Sequence, residues 1–202
     1  MSALTDLYEE IAPCQQCTLS KTRTTVVPGE GAENADIVFI GEAPGWHEDK
    51  QGRPFVGPAG KFLDDLLGLI GLKRSDVYIA NIIKCRPPNN RDPLPPEIGA
   101  CKKWLDRQLE IIRPKMIVTL GRYSMARYFP GQVISKIHGT SKKEDDIIYF
   151  AMYHPAAALH QQKLRQVIED DMRKIPQVLA DGSAAEEKDE KKEERPEQLS
   201  MF

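Results

Sequence analysis

The 202-residue chain has no run of about 18 apolar residues, the length that a membrane-spanning helix requires. Its opening decapeptide, MSALTDLYEE, has no basic segment followed by an apolar one, so no secretory signal is written there. A cytoplasmic location without membrane attachment is the expectation. Strong charge of either sign is also missing, with 28 basic against 30 acidic residues and a net charge of −2. Residues 181–202 hold 8 of the acidic and 4 of the basic side chains, which leaves 24 basic and 22 acidic in residues 1–180. That near-balance excludes gripping a polyanion through bulk charge, so contact with nucleic acid would need a local patch. No internal repeat is visible, which removes solenoids and arrays. Cysteine is scarce at four residues, and a cytosolic chain is not expected to join them in disulfides. What remains, at 41% hydrophobic and 29% charged, is one ordinary globular domain with a real core, assigned to residues 1–180.

Short apolar runs alternate with helical patterns. DIVFIG (36–41), VYIANII (77–83), KMIVTLG (115–121) and YFAMYH (149–154) suit strands buried on both faces of a parallel sheet. Between and after them, residues 59–70, 95–112, 122–129 and 155–179 read as helices. Pro96 near a start and Gly71 just past an end fit the usual capping asymmetry. The alternation implies a three-layer α/β/α sandwich around a four-stranded parallel sheet. Such sheets bind ligands beyond the carboxyl ends of their strands. The stretch from residue 41 onward, Asn81 and His154 each stand at a strand end, so three polar groups are expected to converge there.

GEAPGWHEDKQGRPFVG, residues 41–57, follows the first strand and has the composition of neither an amphipathic helix nor a strand. Irregular backbone is expected throughout it. The flanking Gly52, Pro54 and Gly57 make Phe55 a loop aromatic rather than a core one, while Trp46 and His47 read as surface or nucleic-acid-facing. His138, in KIHG, reads as structural or close to a nucleic acid.

The cysteines lie as C-x2-C at Cys14 and Cys17, then, much later, as C-x15-C at Cys85 and Cys101. In a cytosolic chain such a set points to a metal. Four thiolates saturate one tetrahedral zinc ion or one [4Fe–4S] cluster, and spacing does not separate the two. Cys85 opens the proline-rich loop that leads to Cys101. A structural metal with all four positions closed would tie that loop to an N-terminal segment expected to have no core of its own.

Together with the cysteines, GEAPG, GRPFVGPAG, NIIKCRPPNNRDP and HPAAAL resemble the family-4 uracil-DNA glycosylases, iron–sulfur enzymes, over roughly residues 1–178. The resemblance implies a [4Fe–4S] cluster on Cys14, Cys17, Cys85 and Cys101, and DNA containing uracil as the partner of a monomeric enzyme. It implies a uracil pocket formed by Gly41, Glu42, Ala43, Phe55, Asn81 and His154. In it Phe55 would stack on the base and Asn81 would read the edge carrying O4 and N3–H. His154 would donate to O2, and Glu42 would serve the sugar or the attacking water. Many members of the wider superfamily carry an aspartate where Ala43 stands, so Glu48 and Asp49 join Glu42 as candidates for the water. Where relatives often place an arginine, this chain has His160. Phosphate contact is therefore expected from His160, Lys163 or Arg165, with Asn89, Asn90 and Arg91 near the flipped strand. No histidine-bearing basic insert follows the second strand, so turnover rather than covalent capture is implied. Two other classes stay open from the residues alone. One is a metal-bearing nucleic-acid-binding module without turnover, and the other a zinc-stabilised hydrolase of nucleotides. A pure binder has no need of both Glu42 and His154 at strand ends.

Residues 181–197, DGSAAEEKDEKKEERPE, read as a charged, disordered linker, followed by QLSMF at 198–202. That pentapeptide resembles the bacterial sliding-clamp-binding motif and suggests a bacterial source. Gln198 would set register while Leu199, Met201 and Phe202 fill apolar pockets.

Overall fold

The computed structural model describes residues 2–182. At its centre lie four parallel strands: β2 (Ile37–Gly41), β3 (Tyr78–Asn81), β4 (Met116–Leu120) and β6 (Ile147–Met152). Two antiparallel edge strands, β1 (Glu30–Gly31) beside β3 and β5 (Ser141–Glu144) beside β6, make the order β1-β3-β2-β4-β6-β5. The sheet therefore has six strands and is mixed, where four parallel ones were expected. The missed strands have no apolar signature. Glu30–Gly31 is two residues long, and SKKE at β5 exposes charge, as an edge strand does.

β2, β3 and β4 are buried on both faces, and their residues alternate between two cores. Ile37, Phe39, Ile79, Met116, Val118, Ile148 and Phe150 pack against α3 (Pro58–Leu69) and α8 (Lys163–Asp181). Val38, Ile40, Tyr78, Ala80 and Ile117 pack against α1 (Ala3–Ile11) and α4 (Pro95–Ile112). The three-layer sandwich follows from that parity.

Several local expectations need correction. The N-terminal segment is built into the core, because Leu4, Leu7 and Ile11 form the buried stripe of α1 and pack with the sheet. The stretch 41–57 is not wholly irregular, since α2 (Trp46–Gln51) runs through it and ends at Gly52 in the left-handed region. Residues 155–179 form two helices, α7 (Ala156–His160) and α8, separated where Gln161 turns extended. α8 continues to Asp181 and is capped by Gly182, so the helix enters the stretch assigned to the linker. The short helices α5 (Arg122–Tyr128) and α6 (Ile134–Ile137) complete the fold. No helix among the described residues is long and apolar enough to cross a membrane.

The chain leaves β2 toward β3 and leaves β4 toward β6, in opposite directions. The crevice between the carboxyl ends of β2 and β4 is therefore the switch point of the sheet, where α/β folds bind their ligands.

Candidate active site

A cavity of about 590 Å³ opens at that switch point. Its wall includes Glu42, Ala43, Phe55, Asn81, His154 and His160, and the loop residues Asn90 and Arg91 stand at it as well. Residues far apart in the chain thus meet in one place.

Glu42 follows β2 directly, and its Oε1 accepts a hydrogen bond from the Tyr123 amide at 3.2 Å. Burial pushes its carboxyl above the ordinary carboxylate range, and the Tyr123 amide offsets part of that. The carboxylate fits because residue 121, at the end of β4, is glycine. With φ +94 it adopts a backbone that L side chains avoid, and a Cβ there would lie 2.5 Å from Glu42 Oε1. Gly121→Ala is expected to lower the melting temperature by several degrees, since backbone strain and displacement of the half-buried Glu42 carboxylate act together. Thermal unfolding of the purified variant checks this.

His154 lies two residues beyond β6, with its ring stacked on Phe55 at a centroid separation of 5.4 Å and an interplanar angle of 24°. The Ala156 amide donates to His154 Nδ1 at 3.1 Å. Nδ1 must then carry a lone pair, so the proton of the neutral ring sits on Nε2. Burial lowers the imidazole pKa to about 4, so near pH 7 the ring is neutral and a donor through Nε2.

Asn81 ends β3 and is almost wholly buried, yet among the described residues nothing donates to its Oδ1. An unpaired buried acceptor is costly unless something else fills it. Gly41 makes room for this amide, because a Cβ there would stand 2.4 Å from Asn81 Oδ1 and 2.6 Å from the Phe55 ring. Phe55 itself has φ +53, an unusual conformation for a bulky side chain.

The other two acids of the loop are committed elsewhere. Glu48 Oε1 accepts from the Val56 and Gly57 amides at 2.9 and 3.0 Å, and Oε2 accepts from Gly45 at 3.1 Å. Asp49 is buried and accepts from the Thr24 amide at 2.8 Å. Both pin backbone. Arg91 is held in a two-pronged pair with Glu97 at 2.6 and 2.9 Å, and Asn90 Oδ1 accepts from Arg86 at 2.7 Å. Lys163 starts α8 and is not among the residues that border the cavity. His160 is exposed at its rim. His138 lies outside the cavity wall and bonds to the buried Asp171 at 2.7 Å. The parts that sequence reasoning missed are Gly121, the Tyr123 amide and the stapling function of Glu48. Only Gly121 left a trace, as a glycine between an apolar strand and a helix.

A second, smaller cavity lies on the α1/α4 side of the sheet and is bordered by Cys14, Cys17, Cys85 and Cys101. None of the four is joined in a disulfide. The Arg23 guanidinium donates to Cys85 Sγ at 3.2 Å, and the Lys84 amide donates to Cys101 Sγ at 3.3 Å. Among the described residues no three His, Cys, Asp or Glu side chains form a group suited to a single metal ion.

Fold and site together define an α/β protein with a half-polar pocket at a topological switch point. It offers one aromatic face, one unfilled amide acceptor, one neutral imidazole donor and one half-buried carboxyl. Residues 28–175 match the family model described as the uracil DNA glycosylase superfamily. A type-4 uracil-DNA glycosylase of Sulfurisphaera tokodaii is 50% identical, over 88% of this chain and 86% of its own. The enzymes of that name from Archaeoglobus fulgidus and Thermotoga maritima are 47% and 43% identical, over 88% and 85% of this chain and 94% and 92% of theirs. The chain belongs to the type-4 uracil-DNA glycosylases within that superfamily.

Proposed function

We propose that this protein removes uracil from DNA by hydrolysing the bond between uracil N1 and deoxyribose C1′, leaving an abasic site for base excision repair. The carrying observation is the meeting of Glu42, Phe55, Asn81 and His154 around one cavity in a chain of this family. The target base must leave the duplex to reach such a site. Phe55 offers it a π-face, and the unfilled Asn81 Oδ1 accepts the N3–H of uracil. As the C1′–N1 bond lengthens, electrons flow into the base and positive charge gathers on the sugar. The His154 Nε2–H donates to O2 as negative charge develops there. Glu42, ionised, faces the sugar or orients the water whose oxygen bonds to C1′. Glu48 and Asp49 are both spent on backbone amides, which favours Glu42 for this work. Among the described residues bordering the cavity none is lysine, so a monofunctional enzyme without lyase chemistry is proposed. Incubation with a uracil-containing strand followed by alkali should cut at the uracil. An intact strand after prolonged incubation with active-site-competent protein would refute the reading.

We also propose that Cys14, Cys17, Cys85 and Cys101 hold a [4Fe–4S] cluster. The residues fit it: four thiols border one cavity, and two sulfurs already accept N–H donors, the kind of bond that tunes such clusters. Membership of the type-4 glycosylases favours a cluster over zinc. The cluster would cross-link the segment after α1, the segment after β3, and α4, and no catalytic step passes through it. Purified protein is expected to be brown, with broad absorbance near about 400 nm. Chelation or Cys101→Ser should bleach it and lower the melting temperature, whereas a colourless, zinc-containing protein would contradict the assignment.

DNA contacts from His160, Lys163, Asn90 and Arg91 remain proposals, with Arg91 the least available because Glu97 holds it. The proposed clamp-binding peptide Gln198, Leu199, Met201 and Phe202, and most of the linker before it, lie outside the described residues. Deleting 198–202 should abolish pull-down with a bacterial sliding clamp while excision on short oligonucleotides is unchanged.

A further inference from the structure

We propose that Arg74 is a positioning residue that holds Phe55 in the orientation needed to stack on the extruded base. The inference rests on the stacking role of Phe55 in the reading above. Phe55 has φ +53, a backbone region costly for any side chain with a Cβ and seldom used by aromatic residues. Such a conformation persists only when its surroundings impose it.

The surroundings here act on the peptide groups at both sides of Phe55. Arg74 Nη2 donates to the Pro54 carbonyl at 2.6 Å, and Nη1 donates to the Phe55 carbonyl at 3.1 Å. The amides that follow, Val56 and Gly57, both donate to Glu48 Oε1. The Phe55 carbonyl is also seated against Gly60, where a Cβ would come within 1.8 Å of the oxygen. One cation thus draws two carbonyls one way while one carboxylate holds the next two amides. Their shared effect is to fix the dihedral angles that aim the Phe55 ring across Gly41 and toward His154.

Arg74 is itself held in place. Its guanidinium pairs with Glu30 at 3.1 Å and with Asp64 on α3 at 3.0 Å. Glu30 also pairs with Arg53, two residues before Phe55, at 2.6 Å. The short edge strand β1 therefore presents the carboxylate that anchors the clamp. A planar guanidinium can serve two carbonyls and two carboxylates at once, and a lysine ammonium cannot reproduce that fork.

The test compares wild type with Arg74→Met, Arg74→Lys, Phe55→Ala and the double variant R74M/F55A. Three quantities are read: kcat/KM on a uracil-containing oligonucleotide, the inhibition constant of free uracil, and the melting temperature. Arg74→Met is expected to lower kcat/KM and weaken uracil inhibition about tenfold each. The double variant should be no slower than Phe55→Ala alone, because no ring is left to aim. Should Arg74→Met fail to fold, Arg74→Lys is compared with Phe55→Ala in the same way. Effects that multiply in the double variant, or uracil inhibition unchanged by loss of Arg74, overturn the clamp while leaving the stacking role intact. If Phe55→Ala itself excises and binds uracil normally, the stacking role falls and the clamp with it.

Discussion

His154→Ala is expected to slow uracil release by a factor of about 10²–10³ with the protein still folded. That is the usual effect of removing one preorganised donor from a developing anion. The donor here is neutral. The Ala156 amide occupies Nδ1, and burial holds the imidazole pKa down to about 4, so Nε2–H is present throughout the working range. Because the folded pKa lies below the ordinary histidine value, the neutral ring contributes stability above about pH 6.5. That contribution is lost as pH falls toward 4. His154→Ala should therefore flatten the acid side of the stability profile while leaving melting near neutral pH almost unmoved. Single-turnover excision and melting curves between pH 4 and 8, both on the same variant, check the two halves. A rate unchanged at pH 7 would remove His154 from the chemistry.

Glu42→Gln should cost about 10²–10⁴ in rate, the range associated with a positioned acid–base group, and should make the protein more stable. The two effects share a cause. Burial raises the Glu42 carboxyl above its ordinary value, so the folded state binds that proton more tightly than the unfolded chain does. The associated stability is present below the ordinary carboxyl pKa and is lost as pH rises through the raised one. Wherever Glu42 is ionised the carboxylate is thus held at a cost, and a neutral amide that still accepts from the Tyr123 amide removes it. Activity has the opposite dependence, since the working form is the carboxylate. The rate should climb through Glu42's raised pKa, and Glu42→Gln should abolish that limb. His154 is neutral above about pH 4 and does not account for it. A melting temperature lowered by Glu42→Gln, or an acid limb that survives it, would reassign the carboxylate.

Much of this site was legible before any coordinates because parallel strands advertise themselves. IVFI, YIAN and MIVTL are apolar on both faces, and a parallel sheet puts function where its strands stop. That reasoning reached Asn81, His154 and the stretch that opens at Gly41 without help, and the resemblance supplied the roles of Glu42 and Phe55. The six-stranded sheet was not legible because a two-residue strand and the tetrapeptide SKKE have no period to read. α1 was missed because its buried stripe, Leu4, Leu7 and Ile11, is short and interrupted by acids. The choice among Glu42, Glu48 and Asp49 turns on tertiary hydrogen bonds. Thr24 is paired with Asp49 across 25 positions in the chain, and no local pattern records that. Arg74 was invisible for the same reason: its partners Glu30, Pro54, Phe55 and Asp64 come from three separate segments.

Release of uracil from DNA by hydrolysis at C1′ is measured most directly by chromatographic detection of the free base after incubation with a uracil-containing oligonucleotide, for wild type and for His154→Ala/Asn81→Ala. Free uracil in equal yield with alkali-sensitive sites, both lost in the double variant, is the predicted result. No free uracil from wild type, or undiminished release by the double variant, would contradict it.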